Sequence, residues 1–432
     1  MSNPPLADGD QRNIWQRLVL VQAGESRALL WAAAYFFFLL FSFYLLRPVR
    51  EAMGIAKGAD KLPWLMTATM LVTLLANPIY AMVVSRLPRR RFIPLISHFF
   101  ALNLLILFLL FNYLPEHGGA TLGYVFYVWL SVFNLFVISV FWSFMTDVFN
   151  EDQGKRLFGV ISMGGTLGAI LGAATTERLS RGNWDFTVEP SSMMLCALTG
   201  LELAVFCMLR LAHHFTLASN KQSKKEPGPD FKEGLKLILR SHYLQMICVY
   251  ILLFTITSTF LYLTQGEIVA SSFQGTAERT AAFARMDLWG NVITLSLQLF
   301  VTSRLLRGLG VPGVLLILPI LTLLGFGALS IWPAFATLAI VQVLRRGLHY
   351  AVDRPAREIL YIPLGPDERY KSKPFIDTFI YRGGDFLGVW APSLLGMLAI
   401  PLTLAAVATS SSWIAAAAWL GKLVGKQTRE YP

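Results

Sequence analysis

The stretch Arg345-Arg346-Gly347-Leu348-His349-Tyr350-Ala351-Val352-Asp353-Arg354 decides how the rest of the chain is read. It continues the uncharged apolar run Ala334 to Leu344, and the next apolar segment carries Asp377, Arg382 and Asp385. Ionisable side chains at bilayer depth are costly unless they face water or one another. Two neighbouring segments that both carry them point to a polar chamber between helices. In a protein that crosses a membrane many times, such a chamber handles a polar solute.

The membrane setting follows from composition. Of 432 residues, 55% are hydrophobic and 15% charged, too little polar surface to cover one soluble core. Apolar segments recur near 28–46, 62–84, 92–114, 121–146, 156–178, 192–211, 242–265, 283–303, 311–331, 334–353, 374–398 and 400–421. Each has the length of one crossing, about 20 residues as a helix. Helix is the required form, because backbone groups in lipid must satisfy one another. Met1 to Glu25 is polar and mixed in charge, with no cleavable signal pattern. Cys196, Cys207 and Cys248 lie in apolar runs without ligand spacing, so no metal or cofactor is expected.

Basic residues set the orientation. Arg86 and Arg89 to Arg91, Lys155 and Arg156, Lys221 to Arg240, Arg304 and Arg307, and Arg357 to Lys373 all fall on one side. That side is therefore cytoplasmic, and both termini with it. The net charge of +11 is explained this way, without nucleic acid as a partner. Residues 213–241 form the longest polar stretch, and Asn220 to Asp230 has a linker's composition. It divides a bundle at 1–212 from a second at 242–432. The halves echo each other. Asp147 leads to an acid–base loop and then Gly164-Gly165-Thr166-Leu167-Gly168; Asp353 leads to a similar loop and then Gly383-Gly384-Asp385-Phe386-Leu387-Gly388. The expected fold is an all-α membrane protein of twelve transmembrane helices, in the major facilitator architecture of two six-helix bundles.

Candidate site residues follow from depth and helical spacing. The tenth and eleventh segments run antiparallel about a loop near Gly365, which puts Arg345 and Arg346 level with Asp385, and Asp353 level with Asp377. Arg346, Tyr350, Asp353 and Arg357 share one helical face; Asp377, Tyr381 and Asp385 share another. At the end of the first segment, Pro48 is expected to bend or loosen the helix. Arg47 and Arg50, one turn apart there, can reach back into the chamber. Glu267 ends the seventh segment and Asp287 opens the eighth. Guanidinium forks bind phosphate or carboxylate bidentately and stay charged. Arg47, Arg50, Arg345, Arg346 and Arg382 therefore suit an anion, with Tyr44, Tyr350 and Tyr381 to stack on it or donate hydroxyls. Asp147, Lys155, Arg156, Glu267, Asp287, Asp353, Arg357, Asp377 and Asp385 are the candidates for gating or coupling. The chain has no phosphate-cradling P-loop and no histidines at metal-ligand spacing, so neither an enzyme nor an ATP-hydrolysing pump is expected. These residues do not separate a nucleotide from another organic phosphate or carboxylate.

Several stretches resemble the ATP/ADP antiporter family. The most specific run is Asp353-Arg354-Pro355-Ala356-Arg357-Glu358-Ile359-Leu360-Tyr361-Ile362-Pro363-Leu364, continuing through Lys371-Ser372-Lys373 and Ile376-Asp377 to Arg382-Gly383-Gly384. Leu46-Arg47-Pro48-Val49-Arg50-Glu51 is similar to the family's first-helix end, and Phe141-Trp142-Ser143-Phe144 with Gly154-Lys155-Arg156 to its helix 4–5 junction. Departures accompany the likeness. Arg50 and Arg382 stand where the antiporters carry lysines, Pro48 replaces an acid, and a glutamate expected early in the fourth helix is absent from Trp129 to Asn134. The resemblance implies a divergent bacterial relative in the inner membrane, working as a monomer, that exchanges nucleotides or related organic phosphates. A proton-coupled carrier of another solute and a non-transporting receptor or assembly protein are the alternatives.

Overall fold

The computed structural model describes residue 22 and residues 25–86, 89–113, 119–181, 189–214, 231–398 and 401–430. The core of the proposed linker, Asn220 to Asp230, lies outside the described residues, as do the side chains of Arg86, Arg89 to Arg91 and Lys155. The described chain is helical: α1 (Ser26–Gly54), α2 (Leu62–Arg86), α3 (Arg89–Tyr113), α4 (Gly119–Val148), α5 (Glu151–Ser180), α6 (Met193–His214), α7 (Phe231–Arg240), α8 (His242–Ser272), α9 (Thr276–Phe300), α10 (Thr302–Ile331), α11 (Phe335–Leu348), α12 (Arg354–Ile359), α13 (Pro366–Phe375), α14 (Tyr381–Met397) and α15 (Leu402–Glu430). Among the described residues, eight helices are long and apolar enough to cross a membrane. This is a multi-pass membrane protein. The expected crossings at α2, α9, α11–α12 and α13–α14 are not among the eight. The last three carry several charged residues.

One apolar core is built from residues of α1 to α6, a second from residues between Ile238 and Val424, and a third, from Ala52 to Ala406, joins the two. Glycines set the closest packing in each half. On α5, an added Cβ at Gly168 would collide with the Phe37 carbonyl of α1, and Gly164 and Gly172 meet the Ala33 and Phe41 carbonyls in the same way. On α14, a Cβ at Gly384 would collide with Thr255 of α8. The glycine-rich helix of each half thus lies against that half's first helix. Small residues permit this approach where lipid supplies no hydrophobic drive. Gly168→Ala forces α1 and α5 apart against main chain and is expected to cost about 1–3 kcal/mol; thermal melting in detergent measures it.

Four sequence expectations are corrected. The first helix does not loosen at Pro48; it continues to Gly54 with Pro48 buried, because the ring removes one helical hydrogen bond but packing on both sides holds the rest. The end of the proposed linker is not irregular: residues 231–240 form α7, whose Gly234 abuts the Lys371 carbonyl of α13 and whose Glu233 pairs with Lys371 at 2.9 Å. The eighth crossing starts at Thr276, not 283, so Asp287 lies three turns inside the helix rather than at its opening. A π-turn at His349–Asp353 and another at Ile376–Ile380 interrupt α11–α12 and α13–α14. Each inserts extra backbone and rotates the helix beyond it. Arg346 and Asp353 consequently do not share a face: Arg346 meets α9, whereas Asp353 is buried against Tyr250 of α8.

Candidate functional site: an arginine-rich chamber between the halves

Five arginines stand among three carboxylates where the halves meet. Arg47 of α1 and Arg346 of α11 both donate to Oδ1 of Asp287 on α9, the former at 2.7 Å. Asp287 is 3% exposed, and its Oδ2 makes no hydrogen bond. Arg50 pairs with Glu51 at 2.5 Å, donates to Ser131 Oγ at 3.0 Å and lies over the Tyr127 ring. Arg382 and Asp385 are 3.8 Å apart.

Arg345 differs from the others. It is 6% exposed, and among the described residues no carboxylate pairs with it. Its Nε donates to Thr322 Oγ1 at 3.1 Å, its Nη2 donates to Ser258 Oγ at 2.8 Å, and its guanidinium sits over the Phe254 ring. Two of its five N–H groups are used to aim the fork. The side chain lines the cavity described next.

Three abutting cavities surround these groups. An inner chamber of about 250 Å³ is lined by Ser258, Gln342, Arg345, Arg346, His349 and Tyr350. A side chamber of about 170 Å³ reaches between α2 and α14 and shares Met66, Tyr262 and Asp385 with the first. A vestibule of about 360 Å³ shares His349, Tyr350 and Tyr381 with the inner chamber and adds Arg354, Arg357 and Asp377. Its lining comes from the second half alone.

Opposite the vestibule the halves are tied together. Tyr262 donates to Glu51 Oε2 at 2.5 Å and shares a hydrogen bond of 2.6 Å with Tyr127. Arg279 reaches across to the Ile55 carbonyl at 2.9 Å, Arg285 pairs with Glu177 at 2.9 Å, and Trp390 donates to Thr67. The arrangement is a polar hollow between the halves, barred at the C-terminal end of α1.

Known proteins share both this fold and stretches of this sequence. A family model described as TLC ATP/ADP transporter matches residues 122–332. The plastidic ATP/ADP-transporter of Solanum tuberosum is 25% identical over 90% of this chain and 70% of its own length. The ADP,ATP carrier protein 1 of Chlamydia trachomatis serovar D is 22% identical over 60% of this chain and 56% of its own. This chain is similar in sequence to ATP/ADP transporters over part of its length. It spans a little over half the length of the Chlamydia carrier that it matches. Solved structures give the fold. The nucleoside transporter NupG superposes with a TM-score of 0.60 at 12% identity, over 93% of this chain and 98% of that one. An auto-inhibited POT family peptide transporter does so with 0.62 at 13%, over 94% and 97%. The overall fold is the one these solved transporters share.

The structure brings together most of the residues singled out from sequence. Arg50, Arg345, Arg346, Tyr350, Tyr381, Arg382, Arg357, Asp377 and Asp385 line one or more of the three cavities. Arg47, with Tyr44 beneath its guanidinium, joins them through Asp287. Asp353 stands behind the wall, accepting from Tyr250 at 2.6 Å and lying 3.2 Å from His349 Nδ1 and 3.1 Å from Arg357. Three other candidates lie elsewhere: Asp147 and Glu267 are exposed and line none of these cavities, and Arg156 pairs with Glu25. Lys155 is placed on α5 without a described side chain.

Sequence reasoning passed over Glu51, Tyr127, Tyr262, His349 and the Gln265–Gln342 pair. Glu51 was in plain sight beside Arg50, but only the fold shows it bridging to Tyr262, 211 residues away.

The Glu25–Arg156 pair locks the start of α1 to α5. Both Arg156 amino groups hold the carboxylate, at 3.0 and 2.8 Å, with Gln153 Nε2 and the Gln22 N–H adding to them. The Arg156 hydrogen bonds foremost, and those of Gln22 and Gln153, hold Glu25 down to about 2 from an ordinary 4.5, against the opposing effect of burial. A depressed carboxylate stabilises the fold above its ordinary value and loses that contribution as pH falls toward the folded value. Glu25→Gln is therefore expected to melt below the parent at pH 7, with the gap closing between about 4.5 and about 2. A melting series against pH tests this.

Proposed function

We propose that this protein is a secondary active transporter that exchanges nucleotides, or closely related organic phosphates, by alternating access. The observation that carries the reading is Arg345: a buried guanidinium, aimed by two hydroxyls into a cavity, with no carboxylate of its own. Around it, arginines outnumber carboxylates, so the hollow is short of negative charge until an anion enters. Phosphate oxygens match guanidinium forks in shape and charge. The likeness to ATP/ADP carriers supports a nucleotide as that anion.

In this reading Arg345, Arg346, Arg382 and Arg50 meet the phosphates, Tyr350 and Tyr381 flank them, and Arg47 and Tyr44 complete the far wall. Asp287 holds Arg47 and Arg346 together while the chamber is empty. A phosphate at Arg346 competes for that guanidinium and loosens the tie between α1 and α11. Asp385 and Arg382, and Asp353 and Arg357, are the further pairs that re-form as the halves rock. The reading places twelve crossings in two bundles, 1–212 and 242–432, joined through 213–241. Both termini are cytoplasmic, the chain works as a monomer in a bacterial inner membrane, and it performs no covalent chemistry.

Proteoliposomes provide the test. Vesicles preloaded with ADP are expected to take up labelled ATP, and empty vesicles not to. Uptake that ignores internal nucleotide and follows an imposed pH gradient would replace exchange by proton coupling. A complete lack of flux with any nucleotide or sugar phosphate would remove the transporter reading.

A further inference from the structure

The side chamber has a chemistry unlike the rest of the path. Met66, Met70, Phe386 and Val389 line it together with Arg50, Arg382 and Asp385. Its hydroxyls are nearly all engaged. Thr67 donates to the Pro63 carbonyl and accepts from Trp390; Ser131 donates to the Tyr127 carbonyl and accepts from Arg50. The exception is Thr69, whose buried Oγ1 makes no hydrogen bond. Among the described residues, the Phe386 ring has no aromatic partner, though it is 42% exposed.

We propose that this chamber is a ring subsite: it takes the base of a nucleotide and reads it loosely, through apolar contact and the unpaired Thr69 hydroxyl, the Asp385 carboxylate in its wall being engaged by Arg382. The proposal rests on the reading that the adjoining arginine chamber takes the phosphates. A ribose does not suit the apolar wall, because Met66, Met70, Phe386 and Val389 cannot pair with its hydroxyls. A planar heteroaromatic ring does. It presents a π face to Phe386, to the methionine sulfurs and to the flanking guanidinium groups. A hydrocarbon chain would fill the same space but gain nothing from Arg50 and Arg382.

Selectivity follows from the donor and acceptor inventory. A site rejects a wrong base strongly only when fixed buried polar groups would be left unpaired. A threonine hydroxyl donates or accepts as required. It pairs with an amino group on one base and a carbonyl on another. Adenine, guanine, cytosine and uracil are therefore all admitted.

The experiment is equilibrium binding to the purified full-length protein, with ATP, GTP, CTP, UTP and inorganic tripolyphosphate as probes. The four nucleotides should bind within about tenfold of one another. Each should bind about 10- to 100-fold more tightly than tripolyphosphate, the usual share of a stacked base. Met70→Trp fills the chamber and should bring all four down to the tripolyphosphate level while leaving tripolyphosphate unchanged. Phe386→Ala, at a partly exposed position, provides a second route with the same expected pattern should Met70→Trp fail to fold. A preference above 100-fold for one base overturns the loose reading. If nucleotides bind no better than tripolyphosphate, or neither variant touches nucleotide binding, the ring lies elsewhere and the phosphate site survives; the second result would leave the chamber to a lipid chain. If tripolyphosphate and nucleotides both fail to bind, the phosphate reading falls and the ring subsite with it.

Discussion

Arg345→Gln is expected to leave the empty protein melting at or above the parent's temperature while removing nucleotide binding and exchange. The two effects have opposite signs for one reason. In the empty state the guanidinium is buried, uses two of its N–H groups on Thr322 and Ser258, and has no described carboxylate at ion-pair distance to offset its desolvation in full. Such a charge costs stability, and a neutral side chain of similar length that keeps a hydrogen bond relieves the cost. The bound state reverses the balance. There the arginine is a charge-assisted fork on a phosphate, and truncating one side of a desolvated pair costs roughly 2–5 kcal/mol, or about 30- to 4,000-fold in affinity. Arg345→Lys retains charge but loses the planar fork, so it should bind at an intermediate level. Binding titration and thermal melting on the same preparations decide the matter. A structural arginine would show the reverse: a lower melting temperature and affinity near that of the parent.

Asp287→Asn is expected to destabilise the protein by about 3 kcal/mol, because it strips the buried counter-charge from two half-buried guanidinium groups at once. Arg47 and Arg346 come from different halves and converge on one carboxylate oxygen. Without it they repel, and the tie between α1, α9 and α11 opens. The loss should be repaired in part by removing one of the two like charges. Arg47→Met on the Asp287→Asn background is expected to melt higher than Asp287→Asn alone, although Arg47→Met by itself weakens the parent. A double-mutant cycle on melting free energies measures this coupling. Strictly additive losses would mean that the three groups do not act together. The single variant should also expose a cysteine placed at Ile55 to membrane-impermeant reagents, since that end is barred by the Arg279 bond to the Ile55 carbonyl. Unchanged labelling would confine the carboxylate's effect to the chamber.

The helices and their order were readable because apolar length is a local property. A segment long enough to cross lipid must be a helix whatever surrounds it. The glycine faces were readable for a similar reason: Gly164 and Gly168, or Gly384 and Gly388, repeat at one turn and mark a close approach before the partner is known. The partner itself, α1 for one and α8 for the other, came from the fold. Local reading failed at Pro48, where packing outweighed propensity, and at the two π-turns, where one helical period no longer predicts which side chains share a face.

The sequence by itself determined that this chain lives in a membrane and carries arginines at depths where lipid would not tolerate them alone. Only the tertiary structure decided how each is neutralised. Asp287 serves Arg47 from 240 residues away and Arg346 from 59, while Arg345, adjacent to Arg346 in the chain, is left without an acid. The physical reason is one of range. Helical periodicity relates residues a turn or two apart. Charge pairing in a low-dielectric interior depends on separations of a few ångströms in space, and those are set by how distant helices pack.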